Sequence, residues 1–477
     1  MLSLPLVDNT VNYRRRKPEA GVLYQVLQEH LNTFFERIES DPNRNGLPLH
    51  VKKELRDYLD CGILANGFIR IFCEGCKRNQ LVAVSCRKRG FCPSCGGRRM
   101  RERSLHLVNQ VMPHVPIRQW VLSVPFEIRY LIAYKPEIVT QVLTIYVRVI
   151  SSWIKKQARA RGIRKPYTGS VTVIQRAGSA LNLNTHLHGL FLDGYFAREP
   201  GTGEIKFHKA KFPTDEDMGK IVLKIKRKVI QSLKEKGYLN DFVEDDSMAS
   251  VFESCIAASV RYRSALGERA GKKIRMLGRE PAKTFEVQLK GKNCATSEGF
   301  SLHANTRLSA KNRMGLEKLT AYISRPPLSS ERLSRRADGS ILLQLKRPFA
   351  DGTTFIAFEP LEFIEKLAAL VPPPWANLAR FHGCFGPNSK VRKEIVPKLE
   401  AGEEYPCIRR KWSEILKHSF KIDIFKCGYC GGKTHVTAAI LDPKKVKDIL
   451  KSMGLPTEPP EIRPARGSPQ TQFDWSA

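Results

Sequence analysis

The 477-residue chain carries 80 Lys+Arg against 47 Asp+Glu, a formal net charge of +33 with a sequence pI of about 9.8, so its natural partner is a polyanion: DNA, RNA or an acidic membrane surface. Residues 1–19 show no apolar signal core, and uncharged apolar runs such as 138–147 are too short to span a bilayer, which disfavours membrane and predicts a cytoplasmic, nucleoid-associated protein. At roughly 150 residues per domain the length allows about three domains, with 42% hydrophobic residues to fill their cores.

In chain order, a basic arm with Arg14-Arg15-Arg16-Lys17 precedes helical patterns over residues 21–60. Six of the twelve cysteines follow, at Cys61, Cys73, Cys76, Cys86, Cys92 and Cys95. Cys73-x2-Cys76 and Cys92-x2-Cys95, fifteen residues apart, have the paired-knuckle spacing of a tetrahedral Zn2+ site, while Cys86 and Cys61 are substitute ligands, part of a second site or structural thiols. Nine Lys/Arg lie between Lys77 and Arg103 with only Glu102 opposing them. Among these, Arg87, Lys88, Arg89, Arg98 and Arg99 are candidate phosphate contacts.

A strand at residues 118–125 opens the next unit, a helix over 136–162 crosses it, and strand 169–176 is joined by Ala177-Gly178-Ser179 to a second strand that ends at Asp193-Gly194. Residues 195–298 read as an insertion of helices and basic loops. Strand-like 284–289 and 300–304 lead into a helix over 313–324, with Met314, Leu316, Leu319 and Ile323 inward and Pro326-Pro327 closing it. A hairpin at Ala350-Asp351-Gly352 precedes a helix over 360–370. Near the end, Cys427-x2-Cys430 forms a single knuckle whose further ligands could be His435, Cys407, His418 or none. Cys255, Cys294 and Cys384 read as ordinary buried thiols. From 456 onward, proline and polar residues predict a disordered tail. The expected architecture is α+β: an arm and helix at 1–45, a zinc-binding domain at 46–112, an antiparallel-sheet domain at 113–335, a smaller C-terminal region at 336–455 and the tail.

The chemistry sits in Thr185-His186-Leu187-His188-Gly189. Strand alternation sends His186 and His188 to one face and Leu183, Leu187 and Phe191 to the other. Two neutral imidazoles and an oxygen ligand can hold Mg2+ or Mn2+ against a phosphate oxygen. Gln175 on the neighbouring strand is the first choice for that oxygen, with Asn184 or water as alternatives. Tyr322, on the helix over 313–324, is the candidate nucleophile. A phosphotyrosine bond keeps the phosphodiester's energy available for rejoining, so no nucleotide cofactor is needed, and Gly432-Lys433-Thr434 lacks the earlier glycine of a phosphate-binding loop.

These segments together resemble a known family. Cys73-Glu74-Gly75-Cys76, Ser85 to Gly96, Trp120 to Phe126, Leu181 to His188, Tyr322 to Pro327 and Phe381-His382-Gly383 are similar, in this order, to insertion-sequence-91-like rolling-circle transposases. The resemblance implies a zinc-binding transposase domain followed by a ferredoxin-like or RRM-like nuclease sheet of the His-hydrophobic-His type. It implies nicking of a single-stranded transposon end, a 5′-phosphotyrosine intermediate and strand transfer to target DNA. Lys318 stands where some members carry a second tyrosine, which makes this a one-tyrosine chain. Two other readings are a non-catalytic zinc-dependent DNA-binding regulator and a Zn-dependent hydrolase using the two histidines.

Overall fold

The computed structural model describes residues 15–40, 46–238, 250–277, 293–397, 413, 417 and 423–466. Helices α1 (Val22–Glu39) and α2 (Leu49–Leu59) lead to strands β1 (Phe68–Cys73) and β2 (Asn79–Ala83) and to helix α3 (Pro93–His106). One π turn prolongs α3 to Val111. Strand β3 (Ile117–Ser123), helices α4 (Phe126–Tyr134) and α5 (Pro136–Arg159), and strands β4 (Gly169–Ala177) and β5 (Leu183–Leu192) follow. Next come the hairpin β6 (Gly194–Arg198) and β7 (Ile205–Lys209), helices α6 (Asp215–Glu235) and α7 (Val251–Val260), and strands β8 (Arg275–Leu277), β9 (Cys294–Ser297), β10 (Phe300–His303) and β11 (Arg307–Leu308). Helix α8 (Arg313–Ile323), strands β12 (Leu333–Arg335), β13 (Ile341–Gln344) and β14 (Phe355–Phe358), helix α9 (Pro360–Leu370), strand β15 (Ala379–Gly383), helix α10 (Arg392–Ile395), strand β16 (Thr434–Ile440) and helix α11 (Pro443–Ser452) complete the chain.

The α+β expectation holds, and the central element is an antiparallel sheet in the order β15-β4-β5-β3-β10-β9, with β11 also on β3. Both faces of this sheet are covered. Leu187, Phe191, Trp120 and Leu122 pack under α4, α5 and α6 on one side. On the other side Val171, Val173 and Leu190 meet the π turn and α8. Helix α5 forms because Ile138, Val142, Tyr146, Ile150 and Ile154 recur every four residues along one stripe. By length and hydropathy α5 is the one described helix that could cross a membrane; here that stripe is buried against the sheet. Helix α6 starts at a capping box in which Thr214 Oγ1 accepts from the Asp217 amide and Asp217 accepts from the Thr214 amide.

Several expectations are revised by long-range pairing. The region 195–298 is more than an insertion, because β9 forms an edge of the central sheet and β8 joins β12, β13 and β14 in a second sheet. The C-terminal region is likewise divided: β15 pairs with β4 in the central sheet, while β16 pairs with β1 near the N-terminus. The sheets therefore cross the boundaries expected at 112 and 335. Met314 is 73% exposed rather than inward, since its position at the start of α8 turns away from Leu316 and Ile323, which are buried. The expected tail is docked over 461–466: Gln28 and Asn32 of α1 donate to the carbonyls of Glu461 and Arg463, and the Arg466 amide donates to Thr33. The strand expected at 284–289 lies outside the described residues.

Candidate active site

The two histidines occupy the middle of the central sheet. His186 lies opposite Gln175 on β4 and Ser123 on β3, and His188 opposite Val173 and Val121. Their rings are 4.8 Å apart between centroids. His186 Nδ1 is 2.7 Å from the carbonyl of Asn184. A carbonyl only accepts, so Nδ1 carries the proton and Nε2 keeps its lone pair. The side-chain amide of Gln119 lies 2.8 Å from His188 Nδ1; turned with its oxygen toward the ring it accepts the Nδ1 proton, which leaves a lone pair on Nε2 of His188, buried without a partner among the described residues. Burial pulls the His188 pKa down to about 3, helped by His186 and Arg325, and burial lowers His186 as well. Both rings are therefore neutral near pH 7, the form that ligates a metal. The buried side-chain oxygen of Asn184 has no hydrogen-bond partner among the described residues, so an oxygen ligand stands on the same strand face.

Tyr322 is brought to this pair by α8. Its ring stands 6.3 Å from that of His188 at 89°, and it is 49% exposed. Arg325, three residues on, places its guanidinium 4.3 Å from the centre of the Tyr322 ring. Gln175 has a role that strand alternation did not anticipate. Its Nε2 donates to the carbonyls of Tyr322 (3.2 Å) and Ile323 (2.7 Å), satisfying the open end of α8. It thus ties the tyrosine helix to the histidine sheet, leaving only its oxygen for a metal.

Helix α3 clamps the other side of α8. Ser104 Oγ and Thr320 Oγ1 are 2.7 Å apart, and Ser104 donates to the Glu317 carbonyl. Arg313 donates to the carbonyls of Val108, Met112 and Pro113 at the end of the π turn. At Gly96 a Cβ would stand 2.6 Å from Pro326 Cβ, so only glycine lets α3 approach this closely. Between these elements lies a cleft of about 770 Å³ that includes Tyr322, Gln175, Arg89, Arg99, Arg325, Arg332, Lys346 and Arg347, with Arg103 and Arg176 also in its wall. Among the described residues lining it there is no carboxylate. The tyrosine stands in a basic groove suited to a phosphate backbone.

Two family models match the chain. One, described as "Transposase zinc-binding domain", matches residues 26–124, and the other, described as "Putative transposase", matches 169–393. The two matches together support an insertion-sequence-91-like transposase. No curated protein and no solved structure matches it. DNA is accordingly the partner of this transposase, and Zn2+ the metal its zinc-binding domain and cysteine clusters support.

Within the zinc-binding segment of the transposase, the four sulfurs that converge are Cys61, Cys86, Cys92 and Cys95, all within 4.8 Å of one another. The set expected from spacing, Cys73 and Cys76 with Cys92 and Cys95, is not brought together. Cys73 and Cys76 instead meet Cys427 and Cys430, because β16 pairs with β1 and lays the two knuckles side by side. In the first tetrad the sulfurs share their protons, the contacts lowering Cys95 and Cys61 and raising Cys86 and Cys92, so it is their convergence that suits zinc. Arg16 donates to the carbonyl and sulfur of Cys61. Cys92 is the N-cap of α3, so this tetrad fixes the start of the helix that clamps α8.

Of the five candidate phosphate contacts, Arg89 and Arg99 line the cleft. Each is also structural: Arg89 donates to the carbonyls of Ala376 and Pro373, and Arg99 to those of Arg87 and Lys88. Lys88 pairs with Asp57 at 2.7 Å and Arg98 with Glu102 at 2.8 Å, while Arg87 is exposed. Gln119, Arg325, Arg332, Lys346 and Arg347 were not singled out in the sequence. For Gln119 the signal was available, since it lies two residues from Val121 on the face that carries His188. Tyr195, near the histidines in sequence, is fully buried in the opposite core and stacks on His208.

Proposed function

We propose that the transposase nicks a single strand of DNA at the transposon end through Tyr322, forming a 5′-phosphotyrosine and a free 3′-OH, and passes the strand to a target by a rolling-circle-like route. The observation that carries this reading is the exposed Tyr322 ring 6.3 Å from His188, inside a basic cleft. His186 and His188, each with Nδ1 engaged, would hold Mg2+ or Mn2+, with the oxygen of Asn184 or Gln175 as third ligand; the orphaned Asn184 oxygen and buried His188 Nε2 fit such an ion. When bound, the metal polarises a non-bridging oxygen of the scissile phosphate. Tyr322 Oη attacks phosphorus, its proton is lost, and the 3′-oxygen leaves with a proton. Arg325 places positive charge beside the phenol, where negative charge develops. Gln175, Thr320 and Arg313 keep α8 in register with the sheet. Lys318 is exposed one turn before Tyr322 on α8, so a single tyrosine serves each round.

The test is incubation with single-stranded oligonucleotides from the element's own ends in Mg2+ or Mn2+. A covalent adduct with the parent and none with Tyr322→Phe is expected; an adduct with the Phe variant removes Tyr322 as nucleophile. Absence of any cleavage by the parent, with DNA binding intact, would favour a non-catalytic regulator.

A further inference from the structure

Four cysteines stand apart from the tetrad that starts α3. Cys73 ends β1 and Cys76 lies in the turn after it, while Cys427 and Cys430 lie in the turn before β16. Cys73 and Cys430 sulfurs are 3.5 Å apart and those of Cys76 and Cys427 3.6 Å apart, across 357 and 351 residues of chain. A tetrahedron of sulfurs about 2.3 Å from a zinc ion has edges of about 3.8 Å, whereas a disulfide brings two sulfurs to about 2.05 Å. The spacing is that of metal ligands rather than of a disulfide.

Three local features agree. The amides of Tyr429 and Gly432 donate to the sulfurs of Cys427 (3.5 Å) and Cys430 (3.4 Å), a pattern that favours thiolates. At Gly432 a Cβ would lie 3.2 Å from Cys430 Sγ and 3.5 Å from Cys73 Sγ, so the bare backbone lets the two turns close on each other. His435, the nearest alternative ligand, is turned away, 3.2 Å from Glu74 and edge-on to Phe72. Cys407 and His418 lie outside the described residues.

The surrounding unit has little else to hold it. Among the described residues, the core around the sheet of β16, β1 and β2 is small: Leu64, Phe68, Leu81, Val446 and Leu450 are buried, with Ala65, Ala83, Ile440, Ile449 and Leu455 partly buried against them. Units with cores this small commonly depend on a metal. We propose that Cys73, Cys76, Cys427 and Cys430 bind a second structural Zn2+, releasing four thiol protons, and that this ion fastens β16 and α11 to the N-terminal sheet. A single zinc ribbon is thereby built from both ends of the described chain.

Zinc content of the full-length protein tests this. Two zinc ions per chain are expected, falling to one in Cys427→Ser/Cys430→Ser, with new trypsin cleavage in the segment that holds β16 and α11. One zinc in the parent, or two retained in the double variant, overturns the proposal. Should the variant not fold, the metal-stripped parent is titrated with Co2+. Sulfur-to-cobalt charge-transfer absorption should grow to two equivalents, and saturation at one equivalent overturns the second site; the histidine pair contributes no such band.

Discussion

The two cysteine tetrads differ in every respect except their ligands. Cys61, Cys86, Cys92 and Cys95 come from 35 contiguous positions, 61–95, and three of them are buried beneath α1, α2 and α9. Cys73, Cys76, Cys427 and Cys430 join segments more than three hundred residues apart, and Cys430 is exposed. The first leads directly into α3, which is clamped to the tyrosine helix at Thr320, Arg313 and Pro326. The second leads into a small sheet with no such clamp on α8 among the described residues. On the proposed reading, one site shapes the reaction centre and the other the architecture.

The sharpest way to break this comparison is to remove one site at a time. Cys92→Ser should lower covalent-adduct formation by about 100-fold, because a displacement of about 1 Å at a nucleophile costs that much. Cys427→Ser/Cys430→Ser should stay within about threefold of the parent in the same assay. Equal losses would show that both tetrads support the nuclease sheet.

A pH series isolates the buried side. His188 has a folded pKa of about 3 against 6.5 for the free side chain, so the unfolded chain takes up a proton first as pH falls. Its stabilising contribution is full above about 6.5 and is lost progressively toward 3, at about 1.4 kcal/mol per pH unit. Urea midpoints at pH 7, 6 and 5 should therefore converge between the parent and His188→Gln as pH falls. Parallel midpoints would mean that His188 is already solvated.

A zinc-selective chelator should release zinc in two phases, the tetrad with the exposed Cys430 first and on the order of tenfold faster, because a buried shell restricts access. The fast phase should leave adduct formation intact; loss of adduct in that phase would reverse the assignment of roles. Gln175→Ala, which frees the end of α8 without touching either tetrad, should slow adduct formation by about tenfold at unchanged zinc content. No change in rate would show that α3 alone positions Tyr322.

The smallest effect concerns the outer ribbon. Tyr429 is 76% exposed with the Arg78 guanidinium 4.7 Å from its ring centre, a stacking surface for a nucleobase. Tyr429→Ala should weaken binding of a single-stranded oligonucleotide by about fivefold, at the low end of the range for base–aromatic stacking. Unaltered affinity would confine DNA contact to the cleft.

Local periodicity determined a great deal. The alternation Leu183, His186, Leu187, His188, Phe191 was enough to put both histidines on one face, though that face is packed too, against α8, and the spacing Leu316, Leu319, Ile323 was enough for a helix carrying Tyr322, because each pattern is read within a few residues of itself. Helix 360–370 was legible for the same reason. The grouping of the cysteines was not, because Cys-x2-Cys knuckles are chemically interchangeable and their partners are chosen by which turns the sheets lay together. The same is true of Gln175, whose strand face was visible but whose bonds to the end of α8 were not, and of a cleft assembled from the zinc segment, β4, α8 and the β13–β14 hairpin. By itself the sequence determined which side chains are chemically able to act and on which element each sits. Only tertiary structure decided which of them meet, since contacts across hundreds of residues depend on strand pairing and packing that no local spacing encodes.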